Sequence, residues 1–275
     1  MSFLFFKEMQ KTMKIIDAHT HIFPEKIASK AVKSVGNFYD MEKMSHEGTS
    51  EALLASGEKI GVLKYLVCST ATTKEQVEPI NRFIISECEK HAEFLGLGTM
   101  HIEYEDFEKE VKFLKEQGIK GIKIHPDFQR FAINDKRLFG LYELLSAEKM
   151  FLLTHSGDYR YEFSNPAKVC EVAKQFPKLN IIAAHFGGWS EWDEAEKVLN
   201  LENVYFDTSS TIGFGAVDKA YKVFNKMDKS HFFFGTDFPM WDHEKEFNAF
   251  MELKISDDFK EDILYNNFKN FYGLE

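Results

Sequence analysis

Short apolar runs alternate along this chain with longer amphipathic stretches rich in charged residues. Eight apolar runs are candidate strands, at residues 14–19, 64–69, 94–100, 119–125, 151–155, 180–185, 203–208 and 231–236. The amphipathic stretches are candidate helices, at residues 74–91, 104–117, 136–149, 166–176, 191–200, 216–227 and 243–254. Because parallel strands need helical crossovers whereas hairpins need only short turns, this alternation predicts a parallel α/β fold.

Eight strand–helix units in 275 residues predict a single (β/α)₈ TIM barrel, a fold that takes about 250 residues. An open doubly wound sheet is the alternative, but such a sheet gathers its ligand at one switch point. A barrel instead brings the carboxyl ends of all its strands around one axis. We therefore expect one domain over residues 1–275, with an N-terminal extension at 1–13 and a helical insertion at 22–63. The natural start is either Met1 or Met13.

Composition bears on the class of protein and on its possible partners. The chain is 44% hydrophobic with 28 phenylalanines, enough for a large core, and no run approaches the ~20 apolar residues of a membrane span. A net charge of −10 argues against a nucleic-acid partner, which requires a basic surface. Three cysteines without CxxC spacing, Cys68, Cys88 and Cys170, are typical of reduced packing residues in a cytoplasmic protein. We expect a small-molecule substrate, and the sequence leaves a homodimer open.

Metal-competent side chains stand at the ends of the apolar runs. His19 and His21 end the first run, and a strand with period two points both imidazoles the same way. Asp17 shares their parity, so it is either an outer partner of these histidines or a hydrogen-bonding residue of the barrel. Six of the ten histidines fall at predicted carboxyl ends of strands: His19, His21, His101, His125, His155 and His185.

Six motifs carry a family resemblance. They are Asp17-Ala18-His19-Thr20-His21, Lys123-Ile124-His125-Pro126, Thr154-His155-Ser156-Gly157, Ala184-His185-Phe186-Gly187-Gly188, Gly235-Thr236-Asp237-Phe238-Pro239 and the tail from Asn266 to Leu274. In this order and spacing the chain resembles the amidohydrolase superfamily, in particular the branch of metal-dependent hydrolases and nonoxidative decarboxylases related to aminocarboxymuconate semialdehyde decarboxylase. The resemblance implies that His19, His21, His155 and Asp237 hold a divalent metal and that His185 is a catalytic or substrate-polarising histidine.

Three imidazoles and one carboxylate suit zinc, and iron, manganese, cobalt or nickel also fit such ligands. We expect one ion per chain, most simply Zn²⁺, while two ions stay open. An open coordination position would hold a water whose pKa falls to roughly 7. Asp237 would also take a proton from that water, and His185 would polarise the scissile group or protonate the leaving group.

Lys123 and His125 share parity on the fourth strand. Relatives with two metals use a carboxylated lysine there, and relatives with one metal do not, so both residues are candidates for an additional metal or for the substrate. We expect Lys123 to form an ion pair or a structural contact, and His125 to face or support the substrate.

Loops at the barrel mouth supply candidate substrate-binding residues. Arg160 follows His155 by five residues and lies between Tyr159 and Tyr161 in one loop, and Trp241 follows the last strand. We expect Arg160, with Tyr159 and Trp241, to bind a carboxylate-bearing or planar substrate. The alternative is that mouth arginines pair with neighbouring acids such as Asp158.

Two functions fit these residues. The first is a metal-dependent hydrolase of a small C–N or C–O bond, in an amide, cyclic amide, lactone or ester, that uses a metal-activated water. The alternative is a metal-dependent nonoxidative decarboxylase of an aromatic or unsaturated carboxylic acid. The same residues serve both reactions, and the breadth of the resemblance alone favours the hydrolase.

Overall fold

The protein is described by a computed structural model of residues 13–275. Its strands are β1 Ile15–His21, β2 Val62–Cys68, β3 Phe94–Gly96, β4 Gly98–Thr99, β5 Gly121–Ile124, β6 Phe151–Thr154, β7 Ile181–Ala183, β8 Val204–Asp207 and β9 Phe232–Phe233. Its α-helices are α1 Glu25–Phe38, α2 Ser50–Glu58, α3 Val77–Lys90, α4 Phe107–Glu116, α5 Pro126–Gln129, α6 Phe139–Glu148, α7 Pro166–Gln175, α8 Trp192–Val198, α9 Val217–Lys226, α10 His243–Met251, α11 Asp257–Glu261 and α12 Asn267–Tyr272.

The strands form the predicted parallel barrel. Pairing runs in chain order from β1 to β3 and from β4 to β9. Strands β3 and β4 are two halves of one strand around Leu97, whose amide donates to Val67 at 2.9 Å, so the barrel has eight strands. The first strand also bonds to the chain around the last one, because the Ala18 amide donates to the Phe234 carbonyl at 2.8 Å. The predicted TIM-barrel fold is therefore confirmed.

Strand β1 is irregular where the histidines begin. Its pairing with β2 shifts register between Asp17 and Thr20. Asp17 accepts hydrogen bonds from the Thr236 amide and hydroxyl and lies 3.1 Å from the Nε2 atom of His243 at the start of α10. The His19 side chain instead contacts the other strand ends. Asp17 is thus a structural residue that ties β1 to the last strand and its helix.

The segment between β1 and β2 contains helices α1 and α2. Helix α1 ends at Phe38, and the following Tyr39 amide caps its last carbonyls. This end of the helix lies over the carboxyl ends of the strands, where Tyr39 packs edge to face against Trp189 at 5.3 Å between ring centroids. Among residues 13–275, no helix is both long and apolar enough to cross a membrane.

Candidate metal centre

Strand ends converge on one cavity at the barrel mouth. The side chains come from the ends of β1, β5, β6 and β7 and from the loop after β9. The cavity has a volume of about 70 Å³. Its polar lining residues include His19, His21, Lys123, His125, His155, His185 and Asp237. The structure therefore brings together every residue that the sequence proposed as a metal ligand or as a second-metal candidate.

Two of these residues adopt unusual backbone conformations. Asp237 and His185 have φ values of 59° and 60°, in the left-handed region that non-glycine residues rarely adopt. Hydrogen bonds hold both turns, since the Asp237 amide donates to the His19 carbonyl at 2.8 Å and the His185 amide donates to Asp207 Oδ1 at 3.1 Å. Such strain is typical of functional sites, where surrounding structure over-determines the conformation.

Three of the four proposed ligand atoms, those of His19, His21 and Asp237, are spaced as they would be around a metal ion. His19 Nε2 lies 3.1 Å from His21 Nε2, and His21 Nε2 lies 3.3 Å from Asp237 Oδ1. His155 Nδ1 lies 3.1 Å from His185 Nε2. Ligand atoms bound about 2.0–2.1 Å from a zinc ion are separated by roughly 2.9–3.4 Å. The donor atoms of His19, His21 and Asp237 therefore lie close enough together to hold a divalent cation, whereas His155 lies beside His185 and outside that group.

Hydrogen bonds at the far side of the rings fix which nitrogen faces the cavity. His19 Nδ1 donates to Asp207 Oδ2 at 2.8 Å, which leaves a lone pair on its Nε2 atom. The Ser209 hydroxyl donates to Asp207 Oδ1, so its oxygen accepts from His185 Nδ1 at 2.8 Å. His185 therefore also presents an Nε2 lone pair. An outer carboxylate of this kind orients a metal-binding imidazole and raises its basicity.

His21 is oriented in the same way by a thiol. The Cys68 thiol donates to the Thr20 carbonyl, and its sulfur lies 3.4 Å from His21 Nδ1. His19 and His21 thus face each other with two Nε2 lone pairs, which repel unless a proton or a cation lies between them. Burial lowers the pKa of His21, but Cys68 and Asp237 outweigh it and raise the pKa to about 9. The site attracts positive charge.

The pKa shifts of His155 and Asp237 favour the protonation states that a metal site requires. Burial, with the neighbouring charged groups, holds the pKa of His155 well below its usual 6.5. Burial raises the pKa of Asp237, yet His19 and the His21 hydrogen bond pull it far below the usual range. A metal requires neutral imidazoles and ionised carboxylates. His155 Nε2 is buried without a hydrogen bond in the described chain, which is consistent with a ring held mainly through its other nitrogen.

His125 stacks on the proposed ligand His155, with 4.0 Å between ring centroids. Its Nδ1 atom accepts from the Phe128 amide at 3.2 Å and so caps α5, and its Nε2 atom lies 2.8 Å from the Tyr39 hydroxyl. Both ring nitrogens of His125 are therefore hydrogen-bonded in this structure, one to the Phe128 amide and one to the Tyr39 hydroxyl. Lys123 lies closer to the ligands, with Nζ 3.0 Å from His19 Nε2.

The proposed substrate-binding residues do not line the cavity. The Arg160 guanidinium forms a two-point ion pair with Asp158 at 2.7 and 2.9 Å and donates to the Phe38 carbonyl at 2.6 Å. Tyr159 is 75% exposed, and the Trp241 indole donates to the Ser210 hydroxyl at 2.8 Å. The structure thus favours the alternative of an arginine paired with Asp158, because that acid lies two residues away.

Two residues near the site had not been proposed from the sequence. Asp207 ends the predicted seventh strand, so the strand-end rule that selected the histidines could have selected it as well. Tyr39 belongs to the helical insertion expected after β1, and the end of α1 brings it to the cavity.

A parallel barrel that gathers histidines and an aspartate at the carboxyl ends of its strands defines a metal-dependent barrel enzyme. The amidohydrolase family matches residues 16–274, and this chain belongs to that family. No curated protein matches the chain.

Solved structures with the same fold include three informative cases. An uncharacterised TIM-barrel protein of Bordetella bronchiseptica has a TM-score of 0.78 at 16% identity, covering 95% of this chain and 99% of that one. The 5-carboxyvanillate decarboxylase of Sphingomonas paucimobilis has a TM-score of 0.72 at 12% identity, covering 96% and 100%. A dihydroxybenzoic acid decarboxylase of Polaromonas, with bound manganese, has a TM-score of 0.72 at 14% identity, covering 96% and 98%. At these identities the likeness concerns the fold.

Proposed function

We propose that this protein is a divalent-metal-dependent, nonoxidative decarboxylase of small aromatic or unsaturated carboxylic acids. The observation that carries this proposal is the mixed lining of the cavity. It combines the polar groups of the histidines, Lys123 and Asp237 with the apolar side chains of Phe23, Met44, Phe128 and Met240. Such a lining suits a molecule in which a carboxylate is attached to an apolar ring or unsaturated group.

The named activities of structural neighbours point the same way. Two of them are decarboxylases of aromatic acids, and one of these was solved with manganese. These names support the decarboxylase over the hydrolase that the sequence favoured, and manganese joins zinc as a candidate ion.

The residues that would hold the ion are His19, His21, His155 and Asp237. A divalent cation bound there would supply positive charge that anchors the substrate carboxylate and stabilises negative charge developing on the ring. Lys123 adds a buried amino group, 1% exposed, whose pKa is lowered by burial. With the ion bound, the site would select an anion despite the acidic surface of the protein.

Tyr39 offers the substrate a hydrogen-bond donor. Because His125 Nε2 donates to the Tyr39 oxygen, the hydroxyl hydrogen is free to donate into the cavity. Burial raises the pKa of Tyr39 well above 10, so the hydroxyl stays protonated. We assign it to a carboxylate or hydroxyl oxygen of the substrate.

His185 carries the proton transfer in this scheme. Its Nε2 lone pair accepts the proton of a substrate hydroxyl and then delivers it to the ring carbon as the bond to the carboxylate carbon breaks. The hydroxy acid anion thus yields carbon dioxide and a phenolate, and both atoms and charge balance.

The test is to incubate the purified protein, as isolated and with added Mn²⁺ or Zn²⁺, with 2,6-dihydroxybenzoate and 2-hydroxybenzoate. We expect metal-dependent release of carbon dioxide. Tyr39→Phe should lower kcat/KM roughly 10- to 100-fold, as expected for one hydrogen bond to a charged group. Hydrolysis of lactones, esters or cyclic amides without carbon dioxide release from any acid would overturn the proposal.

A further inference from the structure

A second, larger groove adjoins the metal site. It lies between helices α1 and α3 and has a volume of about 480 Å³. Its apolar lining comes from Ala31 and Val35 on α1 and from Ile80 and Phe83 on α3. Ile27 also lines the groove, and its side chain is 51% exposed. An unfilled apolar groove of this size is a candidate binding surface.

The groove and the metal cavity share a wall. Phe23, Val35, Thr70 and Phe128 line both spaces. The Thr70 hydroxyl in this wall is buried and makes no hydrogen bond with any described residue. An unpartnered buried hydroxyl is costly, so a polar group of a ligand that crosses this wall would satisfy it.

The metal cavity alone is too small for an aromatic acid. Its volume is about 70 Å³, whereas cavities that take up a benzene ring are about 150 Å³. The cavity therefore accommodates the carboxylate and the ring carbons next to it, and the rest of the molecule must lie beyond it. The groove of about 480 Å³ supplies that space on an apolar surface.

We infer that the groove between α1 and α3 is a substrate subsite that binds the apolar body of the acid whose carboxylate reaches the metal site. This inference rests on the proposed function and deepens it, because it assigns the substrate class: an aromatic acid that carries an additional apolar substituent, such as an aryl group. Thr70 then binds a polar group of the acid where the two spaces meet.

The experiment compares 2-hydroxybenzoate with its 4-phenyl and 5-phenyl derivatives. Dissociation constants are measured by calorimetry on the metal-containing protein, and carbon dioxide release is measured separately. Burial of a phenyl group should make at least one derivative bind roughly 10- to 100-fold more tightly than the unsubstituted acid.

Two groove variants test the location. Ala31→Phe narrows the groove, so it should abolish the gain from the phenyl group. Ile80→Ala enlarges the groove and should also reduce the gain. This second variant keeps the location testable if Ala31→Phe fails to fold. Lys26→Phe adds the same side chain at an exposed position of α1 and should keep the parent values.

Each outcome is decisive. A phenyl gain without carbon dioxide release supports the subsite and refutes the decarboxylase. Carbon dioxide release without a phenyl gain, a gain that survives in Ala31→Phe, or no binding of any of the three acids overturns the subsite. A change of oligomeric state in Ala31→Phe, measured by sedimentation, would show that a second copy of the chain occupies the groove and would also overturn it.

Discussion

Two buried aspartates stand behind histidines of the same site and hold them differently. Asp207 is bonded on both oxygens. Its Oδ2 atom accepts from His19 Nδ1 at 2.8 Å, and its Oδ1 atom accepts from the His185 and Ser209 amides at 3.1 Å each and from the Ser209 hydroxyl. This carboxylate therefore fixes the orientation of two rings at once.

Asp127 stands behind His155 much more loosely. Its Oδ2 atom lies 4.0 Å from His155 Nε2, too far for a hydrogen bond, and is bonded by the Ser164 hydroxyl. Its Oδ1 atom and His155 Nε2 are both buried without a hydrogen bond in the described chain. Asp127 therefore does not fix the orientation of His155 as Asp207 fixes that of His19.

The pKa values of the two carboxyl groups are shifted in opposite directions. Burial raises the pKa of Asp207, but His19 and the hydrogen bonds it accepts pull the pKa well below its usual range. Burial dominates at Asp127 and raises its pKa to about 6. Equal burial thus gives an anchored anion where donors surround the carboxylate, and a partly neutral acid where they do not.

His185 links the two sides, because one nitrogen bonds to Ser209 and the other faces His155. We predict that His185→Asn keeps the metal but lowers turnover by about 10²- to 10⁴-fold, the usual worth of a proton-transfer group. Metal content is measured by elemental analysis and turnover by carbon dioxide release, with His91→Asn as the control. Loss of metal in His185→Asn would make His185 a ligand and would favour a site with two ions.

Asp207→Asn should weaken metal binding, because Asp207 holds His19. The substitution removes the charge that holds His19 Nδ1–H while preserving the volume of the side chain, so we expect metal affinity to fall about 10- to 100-fold. Competition with a chelator measures the affinity, and Asp193→Asn on the surface serves as the control. An affinity equal to that of the parent would mean that His19 is held by packing alone.

The sequence predicted which strand-end residues converge on the cavity, because that information is local. His19, His21, His155, His185 and Asp237 follow apolar runs, and parallel strands deliver their carboxyl ends to one place. The period-two rule, which grouped Asp17 with His19 and His21, was misleading within β1. The register shift after Asp17 separates that residue from the histidines.

Contacts made by distant segments were not predictable in this way. Arg160 reaches the carbonyl of Phe38, 122 residues earlier, and is surrounded by the rings of Phe38, Tyr39, Tyr161 and Trp189 at 4.9–5.4 Å. Its position after His155 suggested a substrate clamp, whereas the fold uses its donors to fasten the end of α1. We propose that Arg160 acts on the substrate through the placement of Tyr39.

Asp127→Asn should change how stability depends on pH. The pKa of this carboxyl is about 6 in the folded protein and has a usual value of 3.8. Between about pH 4 and 6 the folded protein keeps a proton that the unfolded chain has lost, so the free energy of unfolding falls as pH rises, by up to about 1.4 kcal/mol per pH unit. Urea unfolding at pH 4, 5 and 6 in chelator should show a smaller fall for Asp127→Asn than for the parent. Equal slopes would mean that the carboxyl titrates normally.

The same variant should have the smallest effect on the metal. Because Asp127 makes no hydrogen bond to His155, its charge contributes little to the orientation of that ring, and we expect the metal affinity of Asp127→Asn to stay within about threefold of the parent. The competition assay used for Asp207→Asn measures both variants under one condition, so the two outer carboxylates are compared directly. A loss as large as that of Asp207→Asn would show that His155 moves toward Asp127 when the ion binds, and that both sides of the site are anchored in the metal-bound protein.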